Sequence, residues 1–224
     1  MADKRRSLRD IYRRLYRFYG PQHWWPGDSA LEVIVGAVLT QNTAWSNVEK
    51  AIGNLKDAGL LSVRRLKEID TRALARCIRP SGYYNIKARR LKNVIGFLSA
   101  RYGGDIRKMR AVKEARALRE ELLSVKGIGE ETADSMLLYA LGKTTFVVDA
   151  YTKRIFSRHG FFDEDSPYGE VQAFFASNLP EERRLFNEFH ALIVRLGKEA
   201  CRKKPRCGSC PLHKFYCKYG KEIL

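Results

Sequence analysis

Hydrophobic and polar positions follow a helical period of about 3.6 residues along most of this chain. The first such stretch is 8–19, where apolar residues recur on one face among arginines. The segment 31–39 is apolar almost throughout, which predicts a helix buried on all sides. Ser29 and Glu32 precede and open this segment with the spacing of a capping box, so we expect the helix to begin there.

Further segments of the same period predict helices over most of the remaining sequence. They lie at 44–57, 62–67, 71–78, 86–101, 112–124, 149–158, 167–177 and 181–197. The run Thr144–Val148 has the β-branched composition of a strand, but it is too isolated to build a sheet. The pattern therefore predicts an all-α fold.

The positive net charge of the chain indicates which classes of partner it can bind. Among 224 residues, 42 Lys and Arg against 25 Asp and Glu leave a net charge of +17. Such an excess attracts polyanions, so nucleic acid and anionic membrane surfaces both fit, as does a highly charged soluble protein without either partner. No apolar run reaches the length of about 18 residues that spans a bilayer. The N-terminus also lacks the apolar core of a signal peptide, so we expect a cytoplasmic protein.

The segment 122–133 is the first with specific chemistry. A helix is expected to end there, a turn with Gly127 and Gly129 follows, and a second helix starts near Glu130. Glycines let a phosphate approach the backbone, the helix start offers N–H groups, and Lys126 adds a cation. A plain helical hairpin fits equally well, because many helices end at a glycine. The positive charge of the chain favours the phosphate-binding interpretation.

Asp149 stands between an uncharged run and the predicted helix at 149–158. An N-cap is the favoured interpretation from this residue alone, because aspartate is common at that position. An N-cap would also hold a carboxylate rigidly at the mouth of a helix. Such a carboxylate could stabilise positive charge on a sugar or orient water.

Four cysteines lie within the last part of the chain. Cys201, Cys207, Cys210 and Cys217 have the spacing C-x5-C-x2-C-x6-C. In a reducing compartment such a cluster indicates a metal site before disulfides. Four thiolates can hold zinc or an iron–sulfur cluster, and the spacing alone leaves both open.

The hairpin, the aspartate and the cysteines, in this order, resemble the helix-hairpin-helix DNA glycosylases of the endonuclease III superfamily. The resemblance implies a two-lobed helical glycosylase fold. One domain would cover 29–143 with the hairpin at 122–133, and the other would combine 1–28 with 144–224. It also implies that Asp149 is catalytic and that the four cysteines within 201–217 hold a [4Fe–4S] cluster.

The same resemblance implies a partner and a location. The partner would be double-stranded DNA containing a damaged base. We expect a monomer in the cytoplasm, associated with the nucleoid and without membrane contact. Lys126, Gly127 and Gly129 would bind the DNA backbone.

Glu131 departs from the pattern of the bifunctional family members, which carry a lysine at the corresponding place. That lysine forms a Schiff base with the sugar, and a carboxylate cannot do so. The departure predicts a monofunctional glycosylase that uses water and leaves an abasic site.

Several segments are similar to bacterial 3-methyladenine DNA glycosylases within this superfamily. They are Trp24-Trp25-Pro26, 36–43, 79–85 and 126–131. This similarity implies a base pocket formed by Trp24, Trp25 and Trp45, with Glu131 beside it. Aromatic walls suit a positively charged alkylated purine, although ordinary core packing explains any single tryptophan equally well.

Gln41 and Asn42 follow the apolar helix. By resemblance an amide in this turn fills the hole that a flipped nucleotide leaves, and helix capping is the competing explanation. The leading hypothesis is a monofunctional glycosylase for alkylated purines such as 3-methyladenine. The alternatives are an endonuclease III-like enzyme for oxidised pyrimidines or mismatched bases, and a non-catalytic DNA-binding iron–sulfur protein.

Overall fold

The computed structural model describes residues 2–25, 27–215 and 217–219, and within this part of the chain the backbone is helical with no β-strand. Its α-helices, numbered α1 to α12 in chain order, are Ala2–Tyr19, Ala30–Leu39, Trp45–Asp57, Val63–Glu68, Thr71–Cys77, Tyr84–Tyr102, Ile106–Ala111, Ala115–Leu123, Glu130–Ser135, Ala150–Arg158, Tyr168–Asn178 and Arg183–Glu199. The expected all-α fold is confirmed. No helix in the described part of the chain combines the length and apolar character that crossing a membrane requires.

The helices belong to two compact units. The central unit consists of the described residues of 25–143, and the terminal unit consists of those of 1–24 and 144–224. Each unit has its own apolar interior, as expected where helices bury one face against each other. The hairpin and α2 belong to the central unit, whereas Asp149 and the four cysteines belong to the terminal unit.

Helix α2 forms the middle of the central unit. Every residue from Leu31 to Leu39 is buried, which confirms a helix surrounded on all sides. Its start differs from a full capping box. The Ser29 side chain accepts from the backbone N–H of Glu32, but the Glu32 carboxylate accepts from the N–H of Asp28 instead and pairs with Lys56 at 2.8 Å. Lys56 thus balances a buried carboxylate.

The buried side chain of Lys87 binds the backbone at the end of α2. The Lys87 ammonium donates to the carbonyl oxygen of Leu39 at 2.8 Å and to that of Ser81 at 2.6 Å. Burial lowers the pKa of Lys87 to about 8. Since the last carbonyls of a helix have no partner inside it, this side chain fixes the chain just before the turn with Gln41.

The interior of the terminal unit is rich in phenylalanine. The rings of Phe146 and Phe175 stack with their centroids 4.1 Å apart, and Phe156 meets Phe175 edge to face at 4.8 Å. Phe189 of α12 packs edge to face on Tyr12 of α1 at 5.4 Å. These ring contacts join the N-terminal helix to the C-terminal part of the same unit.

Two helical details differ from the expectations. The segment expected as one helix over 112–124 begins later, as α8, and is preceded by the short α7. Asp105 caps α7 by accepting from the backbone N–H of Arg107 at 2.9 Å. A π-helical turn, Met136–Ala140, continues the chain directly after α9. A π-turn has no distinct periodic signature in the sequence.

Candidate functional site

The hairpin has the expected helix–turn–helix form. Helix α8 ends with Ser124 as its C-cap, and α9 begins after Gly129 as its N-cap. Gly127 has a φ of +97°, which glycine adopts readily and other residues rarely do. It lies beyond the cap of α8, within the turn itself, so a simple glycine helix terminator does not describe it. Ile128 is buried and anchors the turn.

Ionic contacts join the two helices of the hairpin. The Arg119 guanidinium binds both carboxylate oxygens of Asp134, at 2.9 and 3.0 Å, and Asp134 is fully buried. Arg119 also reaches Glu130 at 3.3 Å. A paired arrangement of this kind is required for a carboxylate without solvent access. The exposed Lys126 and Glu131 lie on either side of the turn.

The turn after α2 contacts the hairpin through Gln41. Its Nε2 donates to the carbonyl oxygen of Gly127 at 3.2 Å and to Oγ1 of Thr132 at 2.9 Å. Its Oε1 accepts a short hydrogen bond from Arg90. Asn42 differs from its neighbour, because it is exposed and has a φ of +54°. The amide of Gln41 is therefore hydrogen-bonded within the protein, whereas Asn42 is exposed.

Asp149 is the N-cap of α10. Its Oδ1 accepts from the backbone N–H of Thr152 at 2.7 Å and from the Thr152 hydroxyl at 2.8 Å. Thr152 is fully buried, and the Asp149 side chain retains 12% of its exposure. The capping interpretation is confirmed, and the carboxylate is held in one orientation with part of its surface accessible.

A buried histidine faces the other oxygen of Asp149. Nε2 of His190 on α12 lies 3.7 Å from Oδ2 of Asp149. Burial lowers the pKa of His190, and the carboxylate opposes this effect only in part. The ring is therefore neutral at pH 7.

Side chains of α11 form hydrogen bonds with the segment that leads to Asp149. Nε2 of Gln172 donates to Oγ1 of Thr145 at 3.1 Å and to the carbonyl oxygen of Phe146 at 2.7 Å. The Tyr168 hydroxyl accepts from the backbone N–H of Val148 at 3.3 Å. These side chains pair the backbone of an irregular, buried segment, as its polar groups require.

An aromatic cluster lies in the central unit. Trp25 meets Trp45 edge to face with centroids 5.0 Å apart, and Tyr139 lies 5.1 Å from Trp25. Gly36 makes room for the indoles, since a Cβ there would lie 3.3 Å from Trp25 and 3.5 Å from Trp45. All three rings are half-buried. Sequence reasoning missed Tyr139, because a tyrosine inside an apolar helix carries no signal of its own.

Trp24 has different surroundings from Trp25. It belongs to the terminal unit, where Nζ of Lys198 lies 5.8 Å from the centroid of its ring. A cation over an indole face is a favourable contact. Pro26, the third residue of the expected Trp24-Trp25-Pro26 motif, lies outside the described residues.

The four cysteines Cys201, Cys207, Cys210 and Cys217 surround one cavity of about 240 Å³ in the terminal unit. All four are free thiols. Among the described residues, no three His, Cys, Asp or Glu side chains are arranged to hold a single metal ion. The number of sulfur atoms and the cavity between them nevertheless fit a group that four thiolates bind together.

The surroundings of the thiols are partly positive. Nη1 of Arg158 donates to Sγ of Cys201 at 3.4 Å and to the carbonyl oxygen of Arg202 at 2.6 Å. Burial raises the pKa of Cys210 to about 11, and repulsion from the other three sulfur atoms adds to this effect. Burial also raises the pKa of Cys207. A raised pKa favours the protonated thiol, and a bound cation would favour the thiolate instead.

Comparison with known proteins gives the family. The profile of the HhH-GPD superfamily of base excision DNA repair proteins matches residues 35–181. A protein of Methanocaldococcus jannaschii, named provisionally as a DNA repair glycosylase, is 50% identical over 205 residues, which are 92% of this chain and 93% of its own length. Endonuclease III of Sulfolobus acidocaldarius is 29% identical over 83% of this chain and 80% of its own.

Solved structures agree with this family. The H. pylori 3-methyladenine DNA glycosylase bound to 1,N6-ethenoadenine is 31% identical, with a TM-score of 0.73 over 87% of this chain and 95% of its own. An endonuclease III trapped covalently on DNA shares the fold, with a TM-score of 0.84 over 98% of both chains at 23% identity. The chain therefore belongs to the HhH-GPD superfamily of base excision DNA repair proteins.

Proposed function

We propose that this protein is a monofunctional DNA glycosylase that hydrolyses the glycosidic bond of alkylated purines such as 3-methyladenine. The observation that carries the proposal is the fixed, partly accessible carboxylate of Asp149. Both of its hydrogen bonds fall on Oδ1, and the ring that faces Oδ2 is neutral. The carboxylate therefore keeps its negative charge available to a cationic centre.

The chemistry needs this charge at one step. When the bond between C1′ and the base nitrogen breaks, its electron pair leaves with the base and positive charge develops on the sugar. Asp149 stabilises that charge and accepts a proton from the water that attacks C1′. The products are a free base, which for 3-methyladenine leaves uncharged, and an abasic site.

The absence of a lysine at position 131 supports the monofunctional reaction. Glu131 is exposed on the first turn of α9 and has no amine to attack the sugar. Water is then the nucleophile, and no covalent intermediate with the protein forms. Strand cleavage would have to be carried out by another enzyme.

The substrate class is supported by the aromatic cluster of Trp25, Trp45 and Tyr139. Half-buried aromatic rings attract a flat, cationic base by stacking and by cation–π interaction. We also keep Trp24 and Glu131 as proposed pocket residues, the first for its indole ring and the second for its negative charge. The H. pylori relative, at 31% identity, is named for 3-methyladenine and was solved with a modified adenine.

DNA is the proposed partner, and the hairpin is the proposed grip on its backbone. Gly127 and Gly129 give a phosphate access to main-chain N–H groups, and Lys126 adds an exposed positive charge. Gln41 and Asn42 would occupy the space in the duplex that the flipped nucleotide leaves. Contacts to the backbone position the enzyme without reading sequence.

We further propose that Cys201, Cys207, Cys210 and Cys217 hold a [4Fe–4S] cluster. The arguments are four thiols around one cavity and a guanidinium donating to one of them. When bound, the cluster would stabilise the folded C-terminal loop. A purified sample should be brown, with absorption near 400 nm, whereas zinc would leave it colourless. The colourless result with stoichiometric zinc would contradict the cluster.

One observation favours a second candidate function. Curated relatives such as the Sulfolobus protein are named endonuclease III, which supports an enzyme for oxidised pyrimidines or mismatched bases. A panel of duplexes, each holding one lesion, distinguishes the candidates by which base the full-length protein releases. Preferred release of an oxidised pyrimidine would reject the alkylpurine assignment, and release of no base would indicate a non-catalytic DNA-binding protein.

Borohydride trapping tests the monofunctional assignment separately. The reagent reduces a Schiff base to a stable adduct between protein and DNA. We expect no adduct with any substrate that the protein processes. An adduct would show that an amine elsewhere in the chain replaces the missing lysine.

A further inference from the structure

Arg90 on α6 lies where the turn after α2, which contains Gln41, contacts the hairpin. Its guanidinium donates to Oε1 of Gln41, whose Nε2 in turn donates to the carbonyl oxygen of Gly127 and to the hydroxyl of Thr132. All hydrogen-bonding atoms of the Gln41 amide are thereby directed at the hairpin or at Arg90. The amide links a residue of the turn to a residue of α9.

The stem of Arg90 makes a second contact with the same turn. A Cβ on Gly127 would lie 2.4 Å from Cγ and 3.0 Å from Cδ of Arg90, so the methylene groups cover the face where a side chain would stand. One helical turn along α6, Nδ2 of Asn93 donates to the carbonyl oxygen of Lys126 at 2.8 Å. Helix α6 therefore holds two consecutive residues of the hairpin.

We propose that Arg90 is a positioning residue of the DNA-binding hairpin, acting through Gln41 and Gly127 and not as a ligand of phosphate. Its head group is directed to an amide oxygen of the protein, and its stem is packed against backbone. The neighbouring Arg89, by contrast, is exposed. The inference rests on the proposed function, because it assumes that the hairpin binds DNA.

Salt dependence separates positioning from direct contact. Each phosphate that a cation neutralises contributes about 0.9 to the slope of log affinity against log salt. Loss of a direct contact lowers this slope. Loss of a positioning residue weakens binding and leaves the slope unchanged, because the number of neutralised phosphates stays the same.

The experiment measures the affinity of the full-length protein for an undamaged duplex over a range of salt concentrations. Arg90→Met keeps the stem and removes the guanidinium, and Arg89→Met removes one positive charge from the same helix as the matched control. We expect Arg90→Met to bind about three- to tenfold more weakly with an unchanged slope, the effect of one lost hydrogen bond. Gln41→Leu should weaken binding likewise, and the double variant should be no weaker than the worse single variant.

A smaller slope for Arg90→Met, or fully additive losses in the double variant, would overturn the inference. Should Arg90→Met fail to fold, Thr132→Val probes the network from its other end with a side chain of the same shape. It too must weaken binding at unchanged slope, and wild-type affinity for it would reject the network. Failure of the wild type to bind duplex or release any base would instead reject the proposed function.

Discussion

Helices α9 and α10, one in each unit, begin in opposite ways. The N-cap of α9 is Gly129, which has no side chain that could cap the helix. The N-cap of α10 is Asp149, whose carboxylate accepts from the N–H of Thr152. Both caps have extended backbone, so the two N-cap residues differ in their side chains and not in their conformation. At the start of α10 the N-cap side chain supplies a carboxylate, whereas at the start of α9 the N-cap residue supplies no side chain.

Under the proposed function, the two helix starts serve different purposes. A helix start without a side chain offers its N–H groups to a ligand with negative charge, such as a DNA phosphate. A helix start with a fixed carboxylate offers negative charge to a ligand that becomes positive, such as the sugar during base loss. Under the proposed function, the start of α9 would contribute to binding and the start of α10 to chemistry.

Removing the charge at the start of α10 while keeping its cap should have the largest effect. In Asp149→Asn the amide oxygen still accepts from Thr152, because asparagine caps helices as well as aspartate does. We expect base release under single-turnover conditions to fall about a hundred- to ten-thousandfold. Affinity for undamaged duplex and the melting temperature should change little. Excision at the wild-type rate would remove Asp149 from the mechanism.

The open helix start can be tested with a pair of glycine substitutions. Gly127→Ala forces a side chain into a positive φ and against Arg90, so we expect a loss of roughly 1–3 kcal/mol in the free energy of unfolding. Duplex affinity should fall as well. Gly129→Ala meets no atom within 4 Å and should cost only about half a kcal/mol. Urea denaturation measures both, and equal losses would contradict the described turn.

The smallest expected effect concerns His190 beside Asp149. Burial lowers its pKa from the usual value of 6.5. As the pH falls, the histidine therefore takes up a proton in the unfolded chain at a higher pH than in the folded protein. Stability is therefore fully present above pH 6.5 and is lost as the pH falls through the lower pKa of the folded state. His190→Gln should flatten this acid-side decline in urea titrations. His23→Asn changes an exposed histidine and serves as the control.

The sequence predicted the helices well where their period was long. Helix α2 and the two helices of the hairpin lie close to their expected positions, because buried faces and glycine turns leave clear patterns. Helix α7 was missed, although the equally short α4 was predicted. The capping box was half wrong, since Glu32 pairs with Lys56, which is distant in sequence.

Site residues were harder to predict than helices. The hairpin and the cysteines could be named from local motifs, whereas the catalytic role of Asp149 was predicted only through the family resemblance. Tyr139, His190 and Arg90 could not, because their importance comes only from what the fold brings next to them. Contacts between residues far apart in the chain cannot be predicted from the pattern of a single sequence. The catalytic and DNA-binding roles stay predictions until the variants are measured.

The π-turn Met136–Ala140 has a consequence for specificity. A π-turn accommodates one extra residue compared with an α-helix, so everything after it is rotated by about 100° around the helix axis. Tyr139 sits within this turn and meets Trp25. Deleting a single residue from the turn would rotate the Tyr139 ring out of the aromatic cluster, although the tyrosine itself would be unchanged. Under the proposed function, a deletion in this turn would therefore alter lesion choice without exchanging any aromatic side chain.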